Sequence, residues 1–427
     1  MVRGRSRGCL LWWRTMKILH ITPYFQPGMG YQENYLPAAQ KQLGHEVMLL
    51  TSDRYPPHPS YRETMQWTEA ARCAGCGPFL EDGVEVRRLR VRWEWRAHWW
   101  VYLSGLWEAI AAYGPDIIQT HCLNGALTYQ VLVGNVRRRV PLVVYDDCNY
   151  FNKAPYTWVK WGFYQGLKFG AWPLLLRTVD LVLAMSDETC VYLHHDLGVP
   201  KGKIMMHPYG AEHTVFRRDE ALARELRTRL GIPGHAVVII NAGKVTPCKD
   251  NHVLLEAFAK VRGHSDRAFL VMAGNAPRAY RDRLEKTVAK SGLAPYVRWV
   301  DFLPHSELPA YYSLAEIGVW PGDWSCTVLE AASCGVALIQ PDQLYTRYSS
   351  ANSNSLLFER GNADELAGRM LTLVRDEGLR RAMGERSREL IERSLNWENL
   401  AKTSIAIYKD VLNKRGAPVC ETRDYAE

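Results

Sequence analysis

Apolar residues in this chain gather into short runs, and the runs alternate with longer stretches that carry an apolar stripe at helical spacing. In the first half the runs are 17–22, 47–51, 84–89, 116–121, 142–145, 181–184 and 203–207. Each is four to six residues long, and most are rich in Val, Ile and Leu, the signature of strands buried on both faces. The stretch 35–43 between the first two predicts a helix. The second half repeats the theme with predicted strands at 237–241, 269–272, 297–299, 317–320 and 336–339. Helices are predicted at 252–261, 280–291, 308–313, 363–377, 379–394 and 397–412. Strand–helix–strand at this spacing implies parallel sheets covered on both faces. Residues 209–219 carry few strand or helix signals and divide the halves. The expected architecture is α/β, with two Rossmann-like doubly wound domains facing across a cleft. Their expected bounds are 16–210 and 211–395, followed by a helix within 396–415 and a tail, 416–427.

One stretch adds chemistry to this pattern. Residues 320–340 read WPGDWSCTVLEAASCGVALIQ. The spacing predicts a loop, a helix over 325–334, a stop at Gly335 and a strand. A helix start presents free backbone N–H groups and a partial positive charge, a ready place for phosphate or sugar hydroxyls. Glu330 rides about a turn and a half into that helix. A second stretch, Ala242-Gly243-Lys244 through Lys249-Asp250, puts two Lys around a turn beyond a strand end. Ammonium groups there can neutralise charge building on a departing diphosphate; two solvated loop lysines is the ordinary alternative.

Composition narrows the classes. The chain has 427 residues, 47% hydrophobic and 23% charged, with net charge +8. This is globular composition at two-to-three-domain length. The excess charge fits anionic small molecules or a membrane surface, and no Lys/Arg tract with interleaved aromatics points to nucleic acid. Of the ten Cys, only Cys73 and Cys76 form a CxxC, a weak metal or redox signal without a second pair. Free thiols in a reducing, cytoplasmic compartment are the expectation. No apolar run reaches the ~18 residues of a membrane span. Residues 1–15 surround a short apolar core with Arg3, Arg5, Arg7 and Arg14, too short for a secretory signal. They read as a disordered basic extension or an over-extended start. The segment 87–107 mixes five Trp with Arg87, Arg88, Arg90, Arg92 and Arg96, which suits a membrane interface or a lipid-linked acceptor. Trp158, Trp161 and Tyr164 share a helical face in 156–172. A core face or packing Trp is the plain alternative for both.

The ordered set of these motifs resembles family 4 (group 1) retaining glycosyltransferases of GT-B fold. The resemblance is carried by Pro27-Gly28-Met29-Gly30, Gly44-His45-Glu46-Val47, Pro115 to His121, the Lys244–Lys249 stretch, Met272-Ala273-Gly274, Val300 to Tyr312, and the 320–335 motif. It covers nearly all of residues 16–412. It implies a nucleotide-sugar donor held by the second domain and a glycan, lipid-linked or small-molecule acceptor held by the first. It also implies retention of anomeric configuration, no required cofactor or metal, and a last helix that crosses back to the first domain. By that resemblance Lys244 and Lys249 bind the diphosphate, and Glu330 accepts hydrogen bonds from ribose. Ser325, Cys326 and Thr327 offer amides, and Gly30 and Gly243 permit close backbone approach. The chain departs from the pattern at several positions, and Lys244 stands where Arg is usual. Gly322 stands where the family has Glu, and Asp323 next door either replaces it at a sugar hydroxyl or caps the helix. Asp250 replaces the usual Gly. Asp146-Asp147 follows a strand where the family often has His, so Asp147 is a candidate to order the sugar or a water. His20 and His121, at predicted strand ends, are further candidates, though such His are more often structural. A scaffold that binds nucleotide or glycan without turnover is the second reading. A nicotinamide enzyme is disfavoured, because no GxGxxG follows any predicted strand.

Overall fold

The computed structural model describes residues 15–57, 72–96, 99–148 and 172–416. The extension 1–14, most of the 156–172 segment and the tail 417–427 lie outside them. Strands β1 (Lys17–Ile21), β2 (Glu46–Ser52), β3 (Gly77–Glu81), β4 (Val84–Leu89), β7 (Ile117–His121), β8 (Leu142–Asp146), β9 (Leu181–Ala184) and β10 (Ile204–Met206) form the first sheet. Its order is β10-β9-β8-β7-β1-β2-β4-β3. All neighbours are parallel except the edge strand β3, which runs antiparallel to β4. Between β4 and β7 the chain makes a separate hairpin, β5 (Val91–Trp95) with β6 (Trp100–Leu103).

The second sheet contains β11 (Val237–Ala242), β12 (Ala268–Ala273), β13 (Val297–Val300), β14 (Ile317–Val319), β15 (Ala337–Pro341) and β16 (Ser355–Phe358). Its order, β13-β12-β11-β14-β15-β16, is wholly parallel. Counted from β11 this is 3-2-1-4-5-6, the doubly wound order in which the chain reverses direction between its first and fourth strands. The central strands β11, β12 and β15 are buried along their full length, as strands covered by helices on both faces must be.

Five helices frame the cleft and the domain junction: α1 (Gln32–Gln42), α2 (Ala126–Arg138), α3 (Asn251–Arg262), α4 (Thr327–Ser333) and α5 (Trp397–Gly416). Segment 209–219 holds no strand or helix beyond a single bridge, Ala211 to Asn396. Helix α5 starts at the second domain and lies on the first. Gln40 of α1 donates to Ser404 (2.8 Å), His207 Nε2 meets the Leu400 carbonyl (3.0 Å), Tyr408 bonds Gln119, and Arg415 pairs with Asp180 (2.6 Å). No helix of the described residues is long and apolar enough to cross a membrane.

The sequence pattern did not foresee β3, the β5–β6 hairpin or β16. β3 and β16 are edge strands, and β5 and β6 pair only with each other. The predicted helix at 325–334 is shorter, and starts at Thr327.

Candidate functional site

Ligands of doubly wound sheets sit beyond the carboxyl ends of the strands, where strand order reverses. In the second sheet that point lies between β11 and β14. The chain leaves β11 through Gly243 at φ 127° and reaches Lys244, then the turn Pro247–Lys249. It leaves β14 through Trp320-Pro321-Gly322-Asp323 into α4. These two loops line one pocket, with Asn241, Gly243, Lys244, Lys249, Gly322 and Ser325 among its walls. A side chain at 243 would press on Ser325 Oγ at 3.3 Å, so glycine keeps the loops in register.

Hydroxyls tie the start of α4 to the sheet. Thr327 Oγ1 donates to the Ala242 carbonyl (2.8 Å), Trp320 Nε1 donates to the same oxygen (2.9 Å), and Ser325 Oγ lies 2.7 Å from Thr327 Oγ1. The Thr327 side chain is thus structural. Within the helix start, the Val328 and Leu329 amides close onto the Ser325 and Cys326 carbonyls. The amides of Trp324, Ser325 and Cys326 have no protein acceptor among the described residues. Burial pushes the Cys326 thiol up to about 12, so it stays protonated.

Both lysines are crowded by protein. Burial lowers Lys244 and Lys249 below the ordinary ammonium range. Lys249 Nζ donates to the Asp323 carbonyl (2.9 Å) and to the Trp324 carbonyl, which aims it across the pocket at the opposite loop.

The departures from the family pattern have a common cause. A Cβ at Gly322 would stand 2.4 Å from the Lys249 carbonyl carbon and 2.5 Å from the Cys248 oxygen. The lysine loop packs directly on this position, and Asp323 N–H donates to Cys248 O at 3.1 Å. Glutamate has no room here. Asp323 does not cap α4, whose N-cap Cys326 is without a side-chain bond, and it lines the pocket. Its carboxylate lies 2.9 Å from an Arg360 nitrogen, and Arg360 also holds Asp250 at 2.8 Å. Asp250 itself adopts φ 51°, the left-handed region that Asp tolerates better than most residues. Arg360, from the turn after β16, therefore clamps both pocket loops together.

Glu330 is engaged as well. His305 Nε2 lies 2.9 Å from one carboxylate oxygen and Tyr312 OH donates to the other at 3.2 Å. His305 also fills the space beside Gly30, where a Cβ would meet its Nε2 at 2.3 Å. The missing Cβ at Gly30 therefore admits an imidazole from the second domain.

The first domain supplies carboxylates. Asp146 is fully buried and accepts from the Leu123 and Cys148 amides (2.6 and 2.8 Å). Burial and the neighbouring Asp147 raise it to about 6. Asp147 is reached by solvent, yet surrounding protein raises its carboxyl too. Glu33, in the first turn of α1, is raised to about 7 by burial and then by the charge of Asp147. Nothing in the sequence pattern singled out Glu33, His305 or Arg360. His20 is buried and His121 half-buried; the surrounding protein lowers them to about 4 and about 3, which keeps both neutral. His20 Nε2 is occupied by Gln40 at 2.7 Å. On the outer face, the β5–β6 hairpin exposes Trp93, Trp95, Trp99 and Tyr102 at 40–48% of their surface, beside exposed Arg90, Arg92 and Arg96.

Comparison with known proteins fits this geometry. Residues 223–390 match the glycosyl transferases group 1 family, and residues 28–210 match a glycosyl transferase 4-like domain. A GDP-mannose-dependent α-(1-6)-phosphatidylinositol monomannoside mannosyltransferase of Mycobacterium tuberculosis is 26% identical over 233 residues, 52% of this chain and 60% of that protein. The chain thus spans about three fifths of that relative's length. A D-inositol 3-phosphate glycosyltransferase of Thermomonospora curvata is 25% identical over 439 residues, 94% of this chain and 96% of that one. Among solved structures, a glycosyltransferase from Rickettsia africae superposes with a TM-score of 0.70 at 16% identity, covering 94% of this chain and 99% of that one. Anabaena HepE in complex with UDP and glucose gives 0.68 at 15% identity, covering 92% and 100%. At such identities these neighbours speak to the fold alone. With the two adjoining matches running from residue 28 to residue 390 on a GT-B frame, the chain belongs to the group 1, or family 4, glycosyltransferases.

Proposed function

We propose that this chain moves a sugar from a nucleotide-activated donor to an acceptor hydroxyl, with retention of anomeric configuration and no metal at the diphosphate. The observation that carries the reading is the meeting of Lys244, Lys249 and Ser325 in one pocket at the switch point of the second sheet, with the unpaired amides of Trp324 to Cys326 on the loop that leads from it into α4. A diphosphate there meets two cations and a run of N–H donors in a site that excludes much water. Fixed charges of this kind act most strongly on the negative charge that grows as the sugar departs. Binding requires Lys249 to exchange its two carbonyl partners for phosphate oxygens. Glu330 accepts the ribose hydroxyls once it releases His305. Asp147 and Glu33, from the opposite domain, accept hydrogen bonds from sugar or acceptor hydroxyls.

The acceptor reading rests on the surface and on the relatives. The mannosyltransferase relative is named for a phosphatidylinositol mannoside, and the β5–β6 hairpin presents Trp and Arg together. That composition suits an anionic membrane interface, so a lipid-linked glycan taken up from a membrane surface is the favoured acceptor.

Purified protein incubated with a panel of nucleotide sugars tests the reading by following nucleoside diphosphate release and the anomer of the product. At least one donor should turn over with its configuration kept, and Lys249→Met should slow it by roughly 10²–10³-fold, as loss of one charge-stabilising donor does elsewhere. Nucleotide binding with no turnover of any donor would favour the scaffold reading. An unchanged rate in Lys249→Met would remove the role given to that lysine.

A further inference from the structure

Two thiols meet beyond the carboxyl ends of the neighbouring strands β7 and β8 of the first sheet, away from the lysine pocket. Cys122 follows β7, and Cys148 lies two residues beyond β8. Their Sγ atoms are 3.5 Å apart. A carboxylate oxygen of Asp146 joins them, all three atoms lying within 4.8 Å of one another. Asn124 Oδ1 stands 3.3 Å from Cys122 Sγ and 3.9 Å from Cys148 Sγ. The cluster is built by backbone. Asp146 is fixed by the Leu123 and Cys148 amides, and Cys122 N–H donates to the Tyr145 carbonyl at 2.7 Å. Cys122 also adopts φ 69°, a left-handed conformation that costs a residue with a Cβ about 1–3 kcal/mol and that clusters at functional positions.

The distances decide which chemistry the pair suits. A disulfide requires sulfurs about 2.05 Å apart, so this pair would have to close by about 1.5 Å. Two thiolates on one tetrahedral zinc, each at about 2.3 Å, stand about 3.8 Å from each other. The observed separation is near the second value. We propose that Cys122, Cys148 and Asp146 form a site for a thiophilic divalent cation of the zinc type, with Asn124 Oδ1 or a water as the fourth ligand. Binding replaces the two thiol protons by one dication and releases two H⁺, with no change of oxidation state. The site is distinct from the donor diphosphate pocket and does not depend on the sugar-transfer reading. It ties the ends of β7 and β8, and so fixes the loop that carries Asp147.

The test uses the full chain with Cys73→Ser and Cys76→Ser, which removes the exposed CxxC pair, and Co²⁺ as the probe. One Co²⁺ per chain should bind, with thiolate-to-metal absorption in the near ultraviolet and visible bands of a tetrahedral centre, and Zn²⁺ should displace it. Adding Cys122→Ser or Cys148→Ser should abolish the near-ultraviolet band or weaken binding at least tenfold, with metal-free melting temperature unchanged. Asp146→Asn, whose single amide oxygen can keep only one of the bonds from the Leu123 and Cys148 amides, should weaken binding and shift the visible bands. Absence of the thiolate band in the CxxC-free chain, or its persistence in Cys122→Ser with undiminished cobalt affinity, would overturn the proposal. So would diamide treatment that links Cys122 to Cys148 in a chain that takes up no cobalt.

Discussion

Restoring the family's glutamate at position 322 should harm this protein. The Cβ of any residue there falls 2.4 Å from the Lys249 carbonyl carbon, 2.5 Å from Cys248 O and 2.6 Å from Lys249 Cα, where real Cβ atoms keep beyond 3.0 Å. All three neighbours are backbone, so no side chain can swing aside. The 248–249 turn must retreat by roughly an ångström, at a cost of about 1–3 kcal/mol for overpacking. The Asp323 N–H to Cys248 O bond breaks with it, adding about 1 kcal/mol. Together these give about 2–4 kcal/mol, or roughly 5–15 °C in melting temperature for a domain of this size. Calorimetric unfolding of Gly322→Ala and Gly322→Glu measures it. Because the clash is at Cβ, alanine should cost nearly as much as glutamate, and both should weaken nucleoside diphosphate binding by displacing Lys249. A Gly322→Glu protein that melts like the parent, or binds a nucleotide more tightly, would refute the packing argument.

Removing Arg360 should strand two carboxylates at once. Arg360→Ala leaves Asp323 and Asp250 unpaired with side chains only 9% and 17% exposed, a loss of about 2–4 kcal/mol in denaturant unfolding of the second domain. Arg360→Lys should recover less than half, since one ammonium cannot fork across both partners. Glu33 sets a pH dependence. It keeps its proton to about pH 7 in the folded chain, against 4.5 for the free side chain, so the folded state binds more protons between those values. Stability therefore falls as pH rises from about 4.5 to about 7. Glu33→Gln should flatten that slope by at most about 3 kcal/mol, seen in melts across the range; an unchanged slope would contradict its burial. At the hairpin, Arg90→Gln with Arg92→Gln should weaken sedimentation with anionic vesicles by roughly 30-fold, at about 1 kcal/mol per charge. Equal binding to neutral vesicles would rule out the membrane reading.

Much of the frame is legible in the sequence because buried parallel strands are largely continuous apolar runs, and Val237 to Ile240 of β11 and Ala337 to Ile339 of β15 need nothing else to be recognised. Lys244 and Lys249 were readable from their place beyond a strand end and from the family pattern. What stayed hidden depends on contacts between distant residues. The reason for Gly322 is a backbone more than seventy residues earlier. Arg360 comes after an edge strand, β16, whose mixed composition gave no signal. His305 reaches Gly30 across the domain gap, which no local pattern encodes. Asp323 illustrates the limit most sharply. Sequence allows it a cap or a sugar contact, and the fold rules out the cap and adds an ion pair with Arg360 at the pocket wall.

Everything proposed about sugar transfer depends on the Lys244–Lys249 pocket holding a donor diphosphate. Titration calorimetry with UDP, GDP and ADP, on the parent chain and on Lys244→Met, tests this most directly. At least one nucleotide should bind the parent, and the same nucleotide should bind Lys244→Met at least tenfold more weakly, a difference of about 1.4 kcal/mol. Equal affinity in the two proteins, or no binding of any nucleoside diphosphate to the parent at millimolar concentration, would contradict that role for the pocket.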